Sequence, residues 1–377
     1  MKAYSSLGFG MSRWALVVAA AAAACCAAAT ARAEIQVQTS TRVLIEILTG
    51  GGDGASIQMV QDIASVVDDG AARRIMPVIG QNPMQTLADL KALRGVDAGI
   101  VQTDVLEYAK RNRVLPGIEG AITYIAKLHN EELHLLAAGN VKTIADLAGR
   151  KVEFAGAAGI TGVAVLGALR IKVNALFDDH AVAMQKLRAG EVAALAYVAP
   201  KPTSLFEVLP GGDGLHFLAI PLRPELTNDY VPARLTNEDY PRLVKPDAPV
   251  DTVAVGAVLV ATNQPTNSER YRNMANFVDA FFTQFPRLQE PAHHPKWAEV
   301  NLAAELPGWR RFPPAEQWLK RNVVASAAPQ VNDKEMHDIF ARFLDERIRV
   351  SGGAAMSQQE KDRLYDQFRQ WQNGQVR

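Results

Sequence analysis

The sequence predicts an α/β protein of two lobes, each a mainly parallel sheet flanked by helices, with a hinge between them and extra C-terminal helices. Three observations carry this. From Val43 to about Ile220, short β-forming runs alternate with segments of helical periodicity, the pattern of parallel strands covered by helices on both faces. Two glycine-rich turns, far apart in the chain, each lead from a strand into a helix. Finally, a late apolar strand and an amphipathic helix return the chain to the first lobe, so that strands cross between the lobes.

The first 33 residues read as an export signal rather than fold: Lys2 and Arg13 precede a long apolar run, and Ala31-Arg32-Ala33 supplies a small-x-small cleavage pattern. Cleavage there removes Cys25 and Cys26, the only two cysteines, and with them disulfides, zinc–thiolate sites and thiol nucleophiles. A competing reading makes Cys25 a lipidation site. The favoured outcome is a soluble periplasmic protein that does not span the membrane after cleavage.

Strands are expected at 43–48, 74–78, 97–101, 122–128, 133–137, 151–154, 193–198 and 215–220, and helices at 55–67, 84–93, 104–110, 143–147, 163–171 and 180–189. Pro- and polar-rich sequence at 223–251 interrupts the alternation. Residues 252–260 then form an almost unbroken apolar β-former, and 268–285 a helix with Met274, Phe277, Val278, Phe281 and Phe282 on one side. Residues 325–330 read as a linker, and 333–348 and 357–371 as two charged amphipathic helices. The expected organisation is lobe one at 34–130 and 240–324, lobe two at 131–239, and a C-terminal helical extension at 325–377.

The glycine turns carry the chemistry. Thr49-Gly50-Gly51-Gly52-Asp53-Gly54 and Gly156-Ala157-Ala158-Gly159-Ile160-Thr161-Gly162 each expose backbone N–H groups at the positive end of a helix dipole, which suits an anion or a carbonyl. In open α/β sheets ligands bind beyond the carboxyl ends of strands, where these turns sit. Thr49, Gly51, Gly52, Asp53 and Gly54 are therefore candidate ligand contacts in the first turn, and Gly159, Thr161 and Gly162 in the second. Asn82 and Gln102, at predicted element ends, can donate and accept at once. Each has a plainer reading: the glycines as simple turns, Asp53 as a helix N-cap, Asn82 and Gln102 as loop structure. Lys201, between two prolines, is either a cation for an acidic ligand or a solvated lysine.

Other functions find little in the chain. Forty basic against forty acidic residues, with no basic cluster, argues against nucleic acid as partner. No HExxH, Gly-x-Ser-x-Gly or phosphate-loop pattern occurs, and His293-His294 reads as a surface loop, so no enzyme, metal or cofactor is expected. The tryptophans from Trp297 onward read as packing for the C-terminal helices.

Several stretches, in order, resemble the TAXI family of solute receptors that serve TRAP transporters. Thr49–Gly54 is similar to its opening glycine turn. Gly80-Gln81-Asn82-Pro83 and Asp97-Ala98-Gly99-Ile100-Val101-Gln102-Thr103-Asp104 resemble its next helix start and strand end. Val141-Lys142-Thr143-Ile144-Ala145-Asp146-Leu147 resembles the start of its second lobe, Met184-Gln185-Lys186-Leu187 the helix that follows, and Phe312-Pro313-Pro314-Ala315 its closing motif. The likeness covers roughly Val43 to Arg321. Ser56 and Ile57 stand where the family has an aromatic, Ile160 interrupts its second turn, and Val198-Ala199-Pro200-Lys201-Pro202-Thr203 replaces its late glycine-rich segment. The resemblance implies a periplasmic binding protein of the type II fold. It would capture a small carboxylate-bearing solute, an organic acid or amino acid, between its lobes and deliver it to TRAP transporter membrane subunits. The alternative is a periplasmic ligand-sensing subunit of a signalling system.

Overall fold

The computed structural model describes residues 43–50, 55–70, 73–322, 337, 340, 341, 344 and 356–372. The export signal, the first turn from Gly51 to Gly54, and the 325–330 linker lie outside the described residues.

One sheet of ten strands organises the molecule. Eight form a continuous path in the order β2 (Arg73–Ile79), β1 (Val43–Thr49), β3 (Ala98–Gln102), β10 (Val250–Thr262), β4 (Ile122–Ala137), β7 (Ala194–Ala199), β5 (Lys151–Ala155), β6 (Asn174–Leu176). β8 (His216–Phe217) pairs β4, and β9 (Val231–Leu235) pairs β10. The parallel pairing expected from the alternation is found at both ends of the path: β1 with β2 and β3, and β5 with β6 and β7. The two long strands between them are antiparallel to each other and to their outer neighbours, β10 to β3 and β4 to β7. They run through the whole sheet and tie its two halves together.

The helices cover both faces, as alternating sequence requires. In the first half α1 (Ala55–Val67) and α6 (Glu269–Leu288) share one core with Ile45, Ile47, Ile100, Phe277 and Phe281. On the other face α2 (Pro83–Ala92) and α3 (Thr103–Arg111) pack with Val101, Val258 and Val260. In the second half α4 (Ala158–Ala168) lies on Phe154, Val198 and Val255, while α5 (His180–Arg188) lies on Leu195 and Tyr197. The helix α7 (Pro313–Arg321) closes the first core, with Trp318 edge-on to Phe282. Trp297, Trp309 and Trp318 thus belong to the first half: Trp297 is fully buried in its core and Trp309 packs on its other face.

The structure differs from the sequence reading at several elements. The two strands expected at 122–128 and 133–137 are one strand of 16 residues. The polar run His129-Asn130-Glu131-Glu132 does not break it, because Glu131 and Glu132 find buried partners. The helix expected from Val163 already begins at Ala158, inside the second glycine turn. The segment at 143–147 closes as a 3₁₀ turn under a Thr143–Asp146 capping box instead of an α-helix. Asn174–Leu176 and Val231–Leu235 were too short or Pro-interrupted to read as strands, and the strand at 215–220 shrinks to two residues.

Of the two C-terminal helices, the second is α8 (Gln358–Gln372). His337, Phe340, Ala341 and Leu344 of the first are described, and all are helical. The rings of His337 and Phe340 stand 4.8 and 5.6 Å from Tyr365. Among the described residues no helix is long and apolar enough to cross a membrane.

Candidate functional site

The carboxyl end of β1 is fixed by local chemistry. Thr49 is fully buried; its hydroxyl donates to the Val78 carbonyl at 3.4 Å and its own carbonyl accepts Gly80 N–H at 2.9 Å. A Cβ at Gly80 would lie 2.7 Å from that carbonyl oxygen, so only glycine permits the approach. Asn82 is the N-cap of α2, its Oδ1 accepting Gln85 N–H at 2.9 Å. That oxygen serves the helix, a capping role that the loop reading of Asn82 did not include.

Gln102 ends β3 and precedes α3. It is buried, and its Nε2 donates to Glu131 Oε2 of β4 at 2.7 Å, while its Oε1 has no partner among the described residues. Two residues on, Asp104 is buried in the first turn of α3, with Oδ2 accepting from the Tyr230 hydroxyl at 3.0 Å. Among the described residues its Oδ1 and the buried Thr161 Oγ1 of α4 are both left without a well-formed bond, though the Thr161 hydroxyl is near enough to favour the Asp104 carboxylate. Burial dominates and pushes the Asp104 carboxyl up to about 6, against the Thr161 and Tyr230 hydroxyls. Burial also raises the Tyr230 phenol, with the Asp104 charge adding to it.

These contacts join the two halves of the sheet. α3 belongs to the first half and α4 to the second, and the two pack together. Tyr230 reaches Asp104 from the segment after Ile220, and Arg111 on the outer turn of α3 pairs with Asp229 at 3.0 Å. Gln102 and Thr161 are brought to this junction. Thr49 and Asn82 stand at the ends of β1 and α2, and Gly51, Gly52, Asp53 and Gly54 lie outside the described residues.

The second turn differs in detail from its sequence reading. The N–H groups of Gly159, Ile160 and Thr161 already bond to the carbonyls of Gly156 or Ala157 at 3.2–3.4 Å. Gly162 is buried where a Cβ would stand 2.7 Å from Phe154 Cδ1, so it lets α4 lie close on β5. Lys201 is neither a free cation nor solvated: its amine pairs with Asp239 at 3.1 Å and donates to the Arg234 carbonyl.

A second buried polar cluster sits beside the junction. Glu132 of β4 pairs with Lys296 at 2.9 Å and accepts Lys201 N–H at 2.9 Å. Burial works against both charges. For Lys296, Glu132 and Glu299 outweigh it and hold the amine above its ordinary range. His293 and His294 are half-buried rather than a surface loop, and the His294 ring stands 6.5 Å from that of the fully buried His129. Among the described residues, no group of three or more His, Cys, Asp or Glu side chains is placed to hold a metal.

Sequence reasoning missed Asp104, Tyr230 and Lys127. Lys127 is the single charge in the apolar run from Ile122 to Leu128, and that isolation is the signal that could have found it. A depression of about 380 Å³ between Gly139, Lys151 and Glu191 lies at the opposite ends of β5 and β7. It contains none of these groups, and its Lys151 and Glu191 are exposed.

No family model matches the chain, and no curated protein matches it. Solved structures do. One described as a periplasmic transporter is 11% identical over 78% of this chain and 97% of that one, with a TM-score of 0.46. The periplasmic binding protein BugD is 11% identical over 74% and 94%, at 0.44. A TRAP periplasmic solute-binding protein from Shewanella oneidensis with bound succinate is 12% identical over 81% and 95%, at 0.43. At these identities and scores the likeness assigns this chain neither ligand nor partner.

Proposed function

We propose that this chain is an exported, non-enzymatic receptor that captures a small carboxylate-bearing solute between two lobes and delivers it to a TRAP-type membrane transporter. The lobes are residues 34–130 with 240–324, and 131–239. The observation that carries the reading is the junction itself. Two long strands cross from one half of the sheet to the other, and Gln102 Oε1, Asp104 Oδ1 and Thr161 Oγ1, each buried, have no well-formed hydrogen bond among the described residues. Buried polar groups are nearly always satisfied, so a cluster of orphans at a junction suits a ligand that completes them. The ordered resemblance of 43–321 to TAXI receptors supplies the periplasmic setting, the acid ligand and the transporter partner as expectations.

A thermal-shift scan of small organic acids, amino acids and their neutral analogues tests this directly. A receptor at [L] well above Kd gains about 2.7 kcal/mol at a hundredfold excess, a readily measured rise in Tm. No stabilisation by any member would remove the receptor reading. Binding without a partner transporter in reconstituted vesicles would move the chain to the sensing alternative.

A further inference from the structure

We propose that Lys127, on the long strand β4 where it pairs with β10, is the cation that holds the carboxylate of the solute. This rests on the receptor reading above and adds the residue that recognises the charge. Lys127 is half-buried, and among the described residues no hydrogen bond or ion pair holds its amine. The other cations near the junction are committed: Lys201 to Asp239, Lys296 to Glu132 and Glu299, Arg111 to Asp229. A recessed ammonium without a counter-charge is costly, so such a group persists where something anionic arrives.

The surroundings favour an anion further. A Cβ built at Gly256 would meet Lys127 Cε at 2.8 Å, Lys127 Nζ at 3.7 Å and Thr103 Cγ2 at 3.3 Å. The lysine therefore lies flat over a strand position kept bare of side chain, against the first residue of the nine-residue helix α3. The positive end of that helix dipole and the ammonium act on the same spot. The second glycine turn offers no comparable charge, since the amides of Gly159, Ile160 and Thr161 are already bonded. Burial lowers the Lys127 amine from its usual range, and no charge among the described residues adds to or opposes it. A bound carboxylate would restore the charged form. Acid binding should therefore weaken as pH rises through that lowered range.

The test uses the mature chain with acetate, propionate, lactate, succinate and glutamate, each beside its carboxamide counterpart, followed by thermal shift and calorimetry. Wild type is expected to bind at least one acid and to reject its amide. Lys127→Met should fold at least as stably and lose that affinity ten- to a hundredfold, the scale of one charged hydrogen bond. Lys127→Arg should retain part of it and hold it flat toward alkaline pH. Unchanged acid affinity in Lys127→Met would overturn the proposal while leaving the receptor intact. Binding of neutral solutes alone, or of no probe, would overturn it together with the carboxylate reading.

Discussion

Asp104 and His134 are both buried, and both titrate away from their ordinary values in opposite senses. His134 lies between the Glu132 carbonyl at 2.9 Å and the Tyr240 hydroxyl at 2.7 Å, and burial holds its pKa down to about 3. The Asp239 charge opposes this, and the Lys201 and Lys296 charges add to it. Its contribution to stability is present above 6.5 and is lost as pH falls toward 3. Asp104, facing Tyr230, Thr161 and Asp229, runs the other way: its contribution is full below 3.8 and lost as pH rises through about 6. Between roughly pH 4 and 6 the two slopes oppose, each pKa unit being worth about 1.4 kcal/mol. On acidification Asp104→Asn should therefore lose Tm relative to wild type, and His134→Gln should gain it. Parallel melting curves from pH 4 to 7 for wild type and both variants would disprove the assignment.

At the scale of elements, the 3₁₀ turn at Pro295–Glu299 is joined to β4 through Lys296 and Glu132. Removing one partner strands the other in the interior. Lys296→Met is expected to cost about 3–5 kcal/mol, and Glu132→Leu with Lys296→Met much less. Chemical denaturation of the singles and the double variant checks the sign of the coupling. Helix α4 makes a second case. Gly162→Ala gains helix propensity but drives a methyl into Phe154, which is 2% exposed and has no room to retreat. A net loss of about 1–3 kcal/mol follows. Ligand affinity that stayed intact in this variant would assign Gly162 to packing rather than to contact with the solute.

These elements also mark what the sequence makes legible. β1, β2, β3, β5, β7 and β10 are runs of β-formers whose period needs no tertiary knowledge. The continuity of β4 was hidden because His129-Asn130-Glu131-Glu132 becomes strand only once Gln102 and Lys296, from distant segments, neutralise its polarity. The start of α4 was hidden because Ala157-Ala158-Gly159 carries no side-chain cap. For the candidate site the same limit holds. Gln102 and Thr161 were visible from their place at element ends, whereas Asp104, Tyr230 and Lys127 acquire meaning through burial and partners that only folding supplies.

For the molecule as a whole, Tyr230–Asp104 and Arg111–Asp229 bridge the halves of the sheet across α3. The second pair is exposed and contributes at most about 1 kcal/mol. If the halves move as lobes, Arg111→Ala with Tyr230→Phe should enlarge the radius of gyration without ligand and contract again on saturation. Small-angle scattering reads this, and an unchanged radius in both states would mean that the bridges do not hold the halves together.

The register shifts of β10 against β4, between Gly256 and Val258 and again between Leu259 and Val260, interrupt the longest ladder among the described residues. An uninterrupted ladder of that length would resist bending as a unit; one with two slipped pairs can take up curvature locally. Deuterium uptake by the backbone amides offers a direct view of this. The ladder on either side, 122–124 with 260–262 and 131–132 with 254–255, should exchange as slowly as global unfolding allows. Amides from 125 to 130 and from 256 to 259 should exchange through smaller, sub-global openings, and a saturating ligand lying over Gly256 should slow them most.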